Sequence, residues 1–236
     1  MPYGIDQLLR IPLAPLLLVQ ALGVRKRANQ LPEPPGNRSG TCGTGPKLNL
    51  LIIGDSSAAG VGAGTQSQAL SGQLTARLSE HFQVHWRLIA ETGATTKTIL
   101  QKLEHIDTQP ADIVVSALGV NDVTRGFSRV RWMHNQNRLA QALVSRFNAH
   151  LIVASGLPPM GMYPKLPQPL RWILGQQANR LDQGLAVLCA DHPILTHMPL
   201  DVPFEPRYQA SDGYHPSEEA YALWATLLTE HIRKHL

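Results

Sequence analysis

Leu48-Asn49-Leu50-Leu51-Ile52-Ile53-Gly54-Asp55-Ser56-Ser57 is the stretch that decides the fold. From Leu50 to Ile53 every side chain is apolar, which fits a strand covered on both faces rather than one with a wet side. The run stops at a glycine and then offers an aspartate and two serines, residue types that turn a strand into a helix. Strands covered on both faces belong to parallel sheets, whose crossovers are helices.

Working outward, short β-branched apolar runs at 84–90, 112–117, 150–155 and 193–196 predict four more strands. Between and after them, apolar residues at three-and-four spacing, such as Leu139, Leu143 and Phe147, predict helices over 68–81, 95–105, 131–148, 170–190 and 217–235. Strict alternation of strand and helix predicts right-handed crossovers and a three-layer α/β/α sandwich around a five-stranded parallel sheet. In such sheets ligands sit beyond the carboxyl ends of the strands.

The chain of 236 residues is long enough for one full core, and its 43% apolar and 16% charged residues describe an ordinary globular protein. The net charge of +4 is spread out except at Arg25-Lys26-Arg27, so a nucleic-acid partner is not expected. Cys42 and Cys189 lack the spacing of a disulfide framework or a zinc site, and no metal or cofactor is expected.

Residues 1–46 read as an N-terminal apolar helix and a Pro/Gly-rich linker, and 47–236 as the domain. The apolar run 11–24, broken by Pro12 and Pro15, would span about 21 Å as a helix, short of the roughly 30 Å hydrocarbon core of a bilayer. No Lys or Arg precedes it among the first nine residues, so it lacks the charge pattern of a secretory leader. The expectation is a cytoplasmic protein whose helix packs on the domain. The alternative is a peripheral membrane contact through residues 8–27, with the basic cluster facing anionic lipid. Residues 31–46, rich in proline and glycine, predict a linker or surface-hugging loop.

Four polar stretches fall where one site is expected. They are Gly54-Asp55-Ser56-Ser57, Glu91-Thr92-Gly93 and Gly119-Val120-Asn121-Asp122 after successive strands, and Asp212-Gly213-Tyr214-His215-Pro216 before the last helix. Taken singly, each has a plain structural reading: Ser56 as a helix cap, Gly93 as a turn residue, Asn121-Asp122 as an Asx-turn, and His215 as one of ten histidines. Glycines 60, 62 and 64 with Glu91 resemble a dinucleotide motif, but the third glycine of that motif would fall on Thr65.

Together, and in this order, the four stretches resemble the signature blocks of the SGNH (GDSL-type) hydrolases. Gly-Asp-Ser matches residues 54–56, the lone glycine Gly93, Gly-x-Asn-Asp residues 119–122, and Asp-x-x-His residues 212–215. Ser57 stands where that family often has leucine. The resemblance implies an esterase acting on a small-molecule ester without a cofactor, with Ser56 as nucleophile, His215 as base and Asp212 orienting it. The Ser56 and Gly93 N–H groups and the Asn121 carboxamide would then meet the oxyanion. Lysophospholipase, thioesterase and carbohydrate deacetylase activities share the scaffold, and a catalytically silent binding module is the contrasting class. The proline-rich segment 157–170, with Met160, Met162, Tyr163 and Leu166, follows the fourth strand and is expected over the same rim as an acyl pocket.

Overall fold

The computed structural model describes residues 4–27, 31–203 and 205–235. Residues 1–3 and 28–30, inside the predicted N-terminal segment, lie outside the described residues, as do Phe204 and Leu236. In chain order the elements are α1 (Ile5–Arg27), β1 (Ser39–Cys42), β2 (Lys47–Gly54), α2 (Ser56–Ala59), α3 (Leu70–Leu78), β3 (Gln83–Ala90), α4 (Thr96–Glu104) and β4 (Ile113–Ala117). They continue with α5 (Val120–Thr124), α6 (Arg129–Phe147), β5 (Leu151–Ser155), α7 (Leu170–Ala190), β6 (Leu195–Met198) and α8 (Glu218–Arg233).

The sheet order is β1-β3-β2-β4-β5-β6, with every pair parallel except β1 with β3. The predicted five parallel strands are present, and the count is corrected to six. Ser39-Gly40-Thr41-Cys42, inside the segment read as a linker, adds an antiparallel edge strand along β3. An edge strand pairs on one side only, and β1 is exposed but for Cys42, which packs on the core under α3 and α8, so proline- and glycine-rich sequence tolerates it.

Strand β2 shows why the continuous apolar run was informative. Leu51 and Ile53 belong to the core under α4, α6 and α7, whereas Leu50 and Ile52 belong to the core under α3 and α8. Val114 joins the first core and Ile113 and Val115 the second, so the period of two along each strand feeds both layers. Burying each such side chain contributes about 1.5–3 kcal/mol. Trp132, fully buried in α6, donates from Nε1 to the Leu181 carbonyl at 3.1 Å and fastens α6 to α7.

Register brings the site residues to one rim. Gly54 stands opposite both Ala90 and Ala117, so β2, β3 and β4 end at one level. Glycine is required at 54 because a Cβ there would lie 2.4 Å from the Ala117 carbonyl oxygen and from Ala58 Cβ.

Helix α1 corrects a length. It runs 23 residues from Ile5 to Arg27, about 34 Å at 1.5 Å per residue, rather than the 14-residue span of the uninterrupted run. Ile5, Leu8 and Leu9 extend the apolar stretch past Arg10, and by length and composition the helix is long enough to cross a membrane.

Candidate active site

Ser56 is the first residue of α2, where the chain leaves β2. Asp55 caps this short helix, its Oδ1 accepting from the Ser57 N–H at 3.0 Å, which leaves the Ser56 side chain free of capping duty. Ser56 Oγ lies 2.9 Å from His215 Nε2, and His215 Nδ1 lies 2.5 Å from Asp212 Oδ2. A continuous hydrogen-bonded line thus joins three of the sequence-predicted residues across a separation of 159 positions.

Local structure sets the His215 end. Asp212 Oδ1 accepts from the Tyr214 and His215 N–H groups at 2.9 and 3.1 Å, closing the turn that carries the imidazole. Ser217 then caps α8, accepting from the Ala220 N–H at 3.2 Å. Helix α8 is tied to the Ser56 side of the cleft by Tyr221, whose hydroxyl donates to the Val61 carbonyl at 2.7 Å, and by Glu218, which accepts from the Gly64 N–H at 3.0 Å. The serine and histidine segments therefore share one rigid support.

Electrostatics follow the same geometry. Burial works to raise the Asp212 carboxyl, but the hydrogen bond from His215 and those from the two backbone N–H groups outweigh it and hold the group below its ordinary value. Asp212 therefore stays ionised beside the imidazole. Asp55 and Asp122 are shifted the other way, each up to about 6, mainly by burial.

Gly93 occupies the turn after β3 at φ +82°, in the left-handed region, and its carbonyl accepts from Arg125 Nη2 at 2.9 Å. Among the described residues neither the Ser56 N–H nor the Gly93 N–H makes a hydrogen bond. Asn121 is differently engaged from the sequence expectation. Its Nδ2 donates to the Ala94 carbonyl at 3.0 Å and to Asp55 Oδ2 at 3.3 Å, so the carboxamide is braced between the β3 turn and the buried Asp55. Asp122, read in sequence as half of an Asx-turn, is fully buried and accepts from the Thr96 N–H at 3.1 Å, anchoring α4 instead. Neither carboxylate contact was legible in the sequence, because each joins segments 26 or more positions apart.

Ser56, Asn121 and His215 open onto a cavity of about 710 Å³. Met160, Tyr163 and Leu166, from the proline-rich segment after β5, form part of its wall, and Trp224 of α8 closes another side. Met162 does not share this place: it is 58% exposed and is not one of the residues lining the cavity. Glu91, weighed as a ribose ligand, is in an exposed ion pair with Lys102 at 2.9 Å. Among the described residues no cluster of His, Cys, Asp and Glu has the makings of a metal site, and Cys42 and Cys189 are unpaired.

A family model described as GDSL-like Lipase/Acylhydrolase matches residues 52–223. The chain belongs to this family. It is 32% identical over 199 residues to the GDSL-like esterase Rv1075c of Mycobacterium tuberculosis (strain ATCC 25618 / H37Rv), a match covering 77% of this chain and 60% of that relative. The chain thus spans about 60% of the length of the curated relative it matches. Among solved structures, TesA superposes with a TM-score of 0.62 at 20% identity over 80% of this chain and all of that one. The psychrotrophic esterase EstA from Pseudoalteromonas sp., in a structure inhibited by monoethylphosphonate, gives 0.60 at 19% identity over 79% and 97% of the two chains. The structural likenesses establish the fold.

Proposed function

We propose that the chain hydrolyses carboxylic esters of small or medium acyl chains through an acyl-enzyme on Ser56. The observation that carries this reading is the unbroken line Asp212–His215–Ser56 at the edge of a largely apolar cavity. A serine hydroxyl is a weak nucleophile until a base takes its proton, and His215 Nε2 is within hydrogen-bond reach to do so. Ionised Asp212 keeps the proton on Nδ1, leaving Nε2 as acceptor, and stabilises the imidazolium that forms.

Attack of Ser56 Oγ on the ester carbonyl carbon produces a tetrahedral oxyanion. The unengaged N–H groups of Ser56 and Gly93 are its natural donors. Asn121 Nδ2 joins them by exchanging its longer bond to Asp55 for one to the oxyanion. Each such donor is worth on the order of 3 kcal/mol to the transition state. Collapse breaks the bond to the alcohol, which leaves with the proton held by His215. Water, deprotonated by the same nitrogen, then attacks the acyl-serine, releasing the acid and restoring Ser56.

The test is turnover of p-nitrophenyl acetate, butyrate and hexanoate by the full chain and by Ser56→Ala. The expected result is hydrolysis that the substitution lowers by at least about 10³-fold. Turnover that survives Ser56→Ala refutes the acyl-enzyme, and a chain inert towards every ester favours a silent binding module.

A further inference from the structure

Helix α1 has its polarity reversed for a surface helix. From Ile5 to Val24 its polar side chains are Asp6, Gln7, Arg10 and Gln20, and none is fully exposed. Asp6 is 3% exposed and meets Arg180 Nη2 of α7 at 2.6 Å. Arg10 donates to Gln177 at 2.8 Å, and Gln20 accepts from the Leu170 N–H at 3.1 Å. These positions recur at helical spacing and, with the half-buried Leu13, Leu17 and Val24 on the same side, hold α1 against α7.

The opposite face carries Ile5, Leu8, Leu9, Ile11, Leu16, Leu18, Val19 and Leu22, all exposed, with Ile11 at 82%. No charged residue interrupts this face, whereas Arg25 and Lys26 are exposed at its carboxyl end. A soluble surface has no use for such an arrangement, because the apolar stripe of a surface helix ordinarily faces the core. The carboxyl-terminal turns of α1 also border the candidate active site, since Ala21, Val24 and Arg25 line the cavity.

We propose that α1, while docked on α7, lies in the plane of an anionic phospholipid surface, with its apolar face among the acyl chains and Arg25 and Lys26 on the headgroups. A crossing orientation is disfavoured because it would strip Asp6 and Arg10 of Arg180 and Gln177 and place both in hydrocarbon. In the in-plane pose the cavity opens beside the lipid. Resting on the esterase reading above, this makes membrane-dissolved amphiphilic esters the substrate class.

The test is flotation of the full chain with phosphatidylcholine vesicles, with and without phosphatidylglycerol, alongside turnover of soluble p-nitrophenyl butyrate. Binding is expected to need phosphatidylglycerol and to fall at least about tenfold in Lys26→Gln/Arg25→Gln. It is expected to fall about a hundredfold in Leu8→Gln/Leu16→Gln/Val19→Gln, with butyrate turnover unchanged. In Leu8→Trp and Val19→Trp, two exposed positions on one line of the helix, quenching by brominated lipids, read against the parent chain, is expected at one shallow depth for both positions.

Different depths for the two tryptophans indicate a spanning helix and overturn the proposal. So does failure of the parent chain to bind vesicles, or a dimer in solution that the triple variant dissociates without any vesicle binding. If the triple variant loses butyrate turnover through misfolding, the two tryptophan variants decide. Vesicle binding without turnover of any ester overturns the esterase reading alone.

Discussion

Asp212→Asn is the perturbation whose consequences the geometry defines most fully. Asparagine is isosteric, so its side-chain oxygen can keep the hydrogen bonds from the Tyr214 and His215 N–H groups and the turn holds its shape. The amide nitrogen then takes the place of Oδ2, 2.5 Å from His215 Nδ1, and brings a donor where an acceptor stood. The imidazole responds by moving its proton to Nε2, which can no longer accept from Ser56. A wrong tautomer of this kind costs about 10⁴ in kcat, or roughly 5 kcal/mol of transition-state stabilisation. The assay is kcat and KM for p-nitrophenyl butyrate from pH 5 to 9, with a thermal melt beside it. The expected outcome is a kcat loss of at least about 10³-fold, with KM and melting temperature little changed. A loss below about tenfold would refute the role given to Asp212.

Two further outcomes are expected. Asp122 is fully buried and its carboxyl is raised to about 6, so the folded state holds a proton that the unfolded chain has lost, and stability falls as pH rises from about 4 to 6. Asn is neutral throughout, so Asp122→Asn should gain on the parent by on the order of 3 kcal/mol between pH 4 and pH 7 in urea unfolding, and a pH-independent difference would contradict this. Met160 and Tyr163 line the cavity, so Met160→Ala and Tyr163→Ala should raise kcat/KM for octanoate relative to acetate esters by about tenfold, and an unchanged ratio would remove this wall from the acyl site.

The central strands and the site order were legible because they depend on local pattern. Leu50-Leu51-Ile52-Ile53 alternates between two cores within one run, and Asp212 and His215 are assembled by a single turn. What escaped depends on contacts between distant segments. Ser39–Cys42 has no apolar signal because it leans on β3 from the edge. The full length of α1 was hidden by Arg10, which looks like an interruption in sequence and is a bond to Gln177 in space. The engagement of Asn121 with Asp55 and Ala94 likewise follows from strand register rather than from the Gly-x-Asn-Asp motif, which places the carboxamide without saying what it touches.

The central claim is that Ser56 is a nucleophile activated by His215. It is tested most directly by incubating the folded full chain and its His215→Ala variant with a fluorophosphonate probe and locating the adduct by peptide mass spectrometry. The expected result is one phosphonylated residue, Ser56, in the parent chain and labelling slowed by at least about 10³-fold in the variant. An unlabelled Ser56 in folded protein, or an adduct on Ser57 instead, would contradict it.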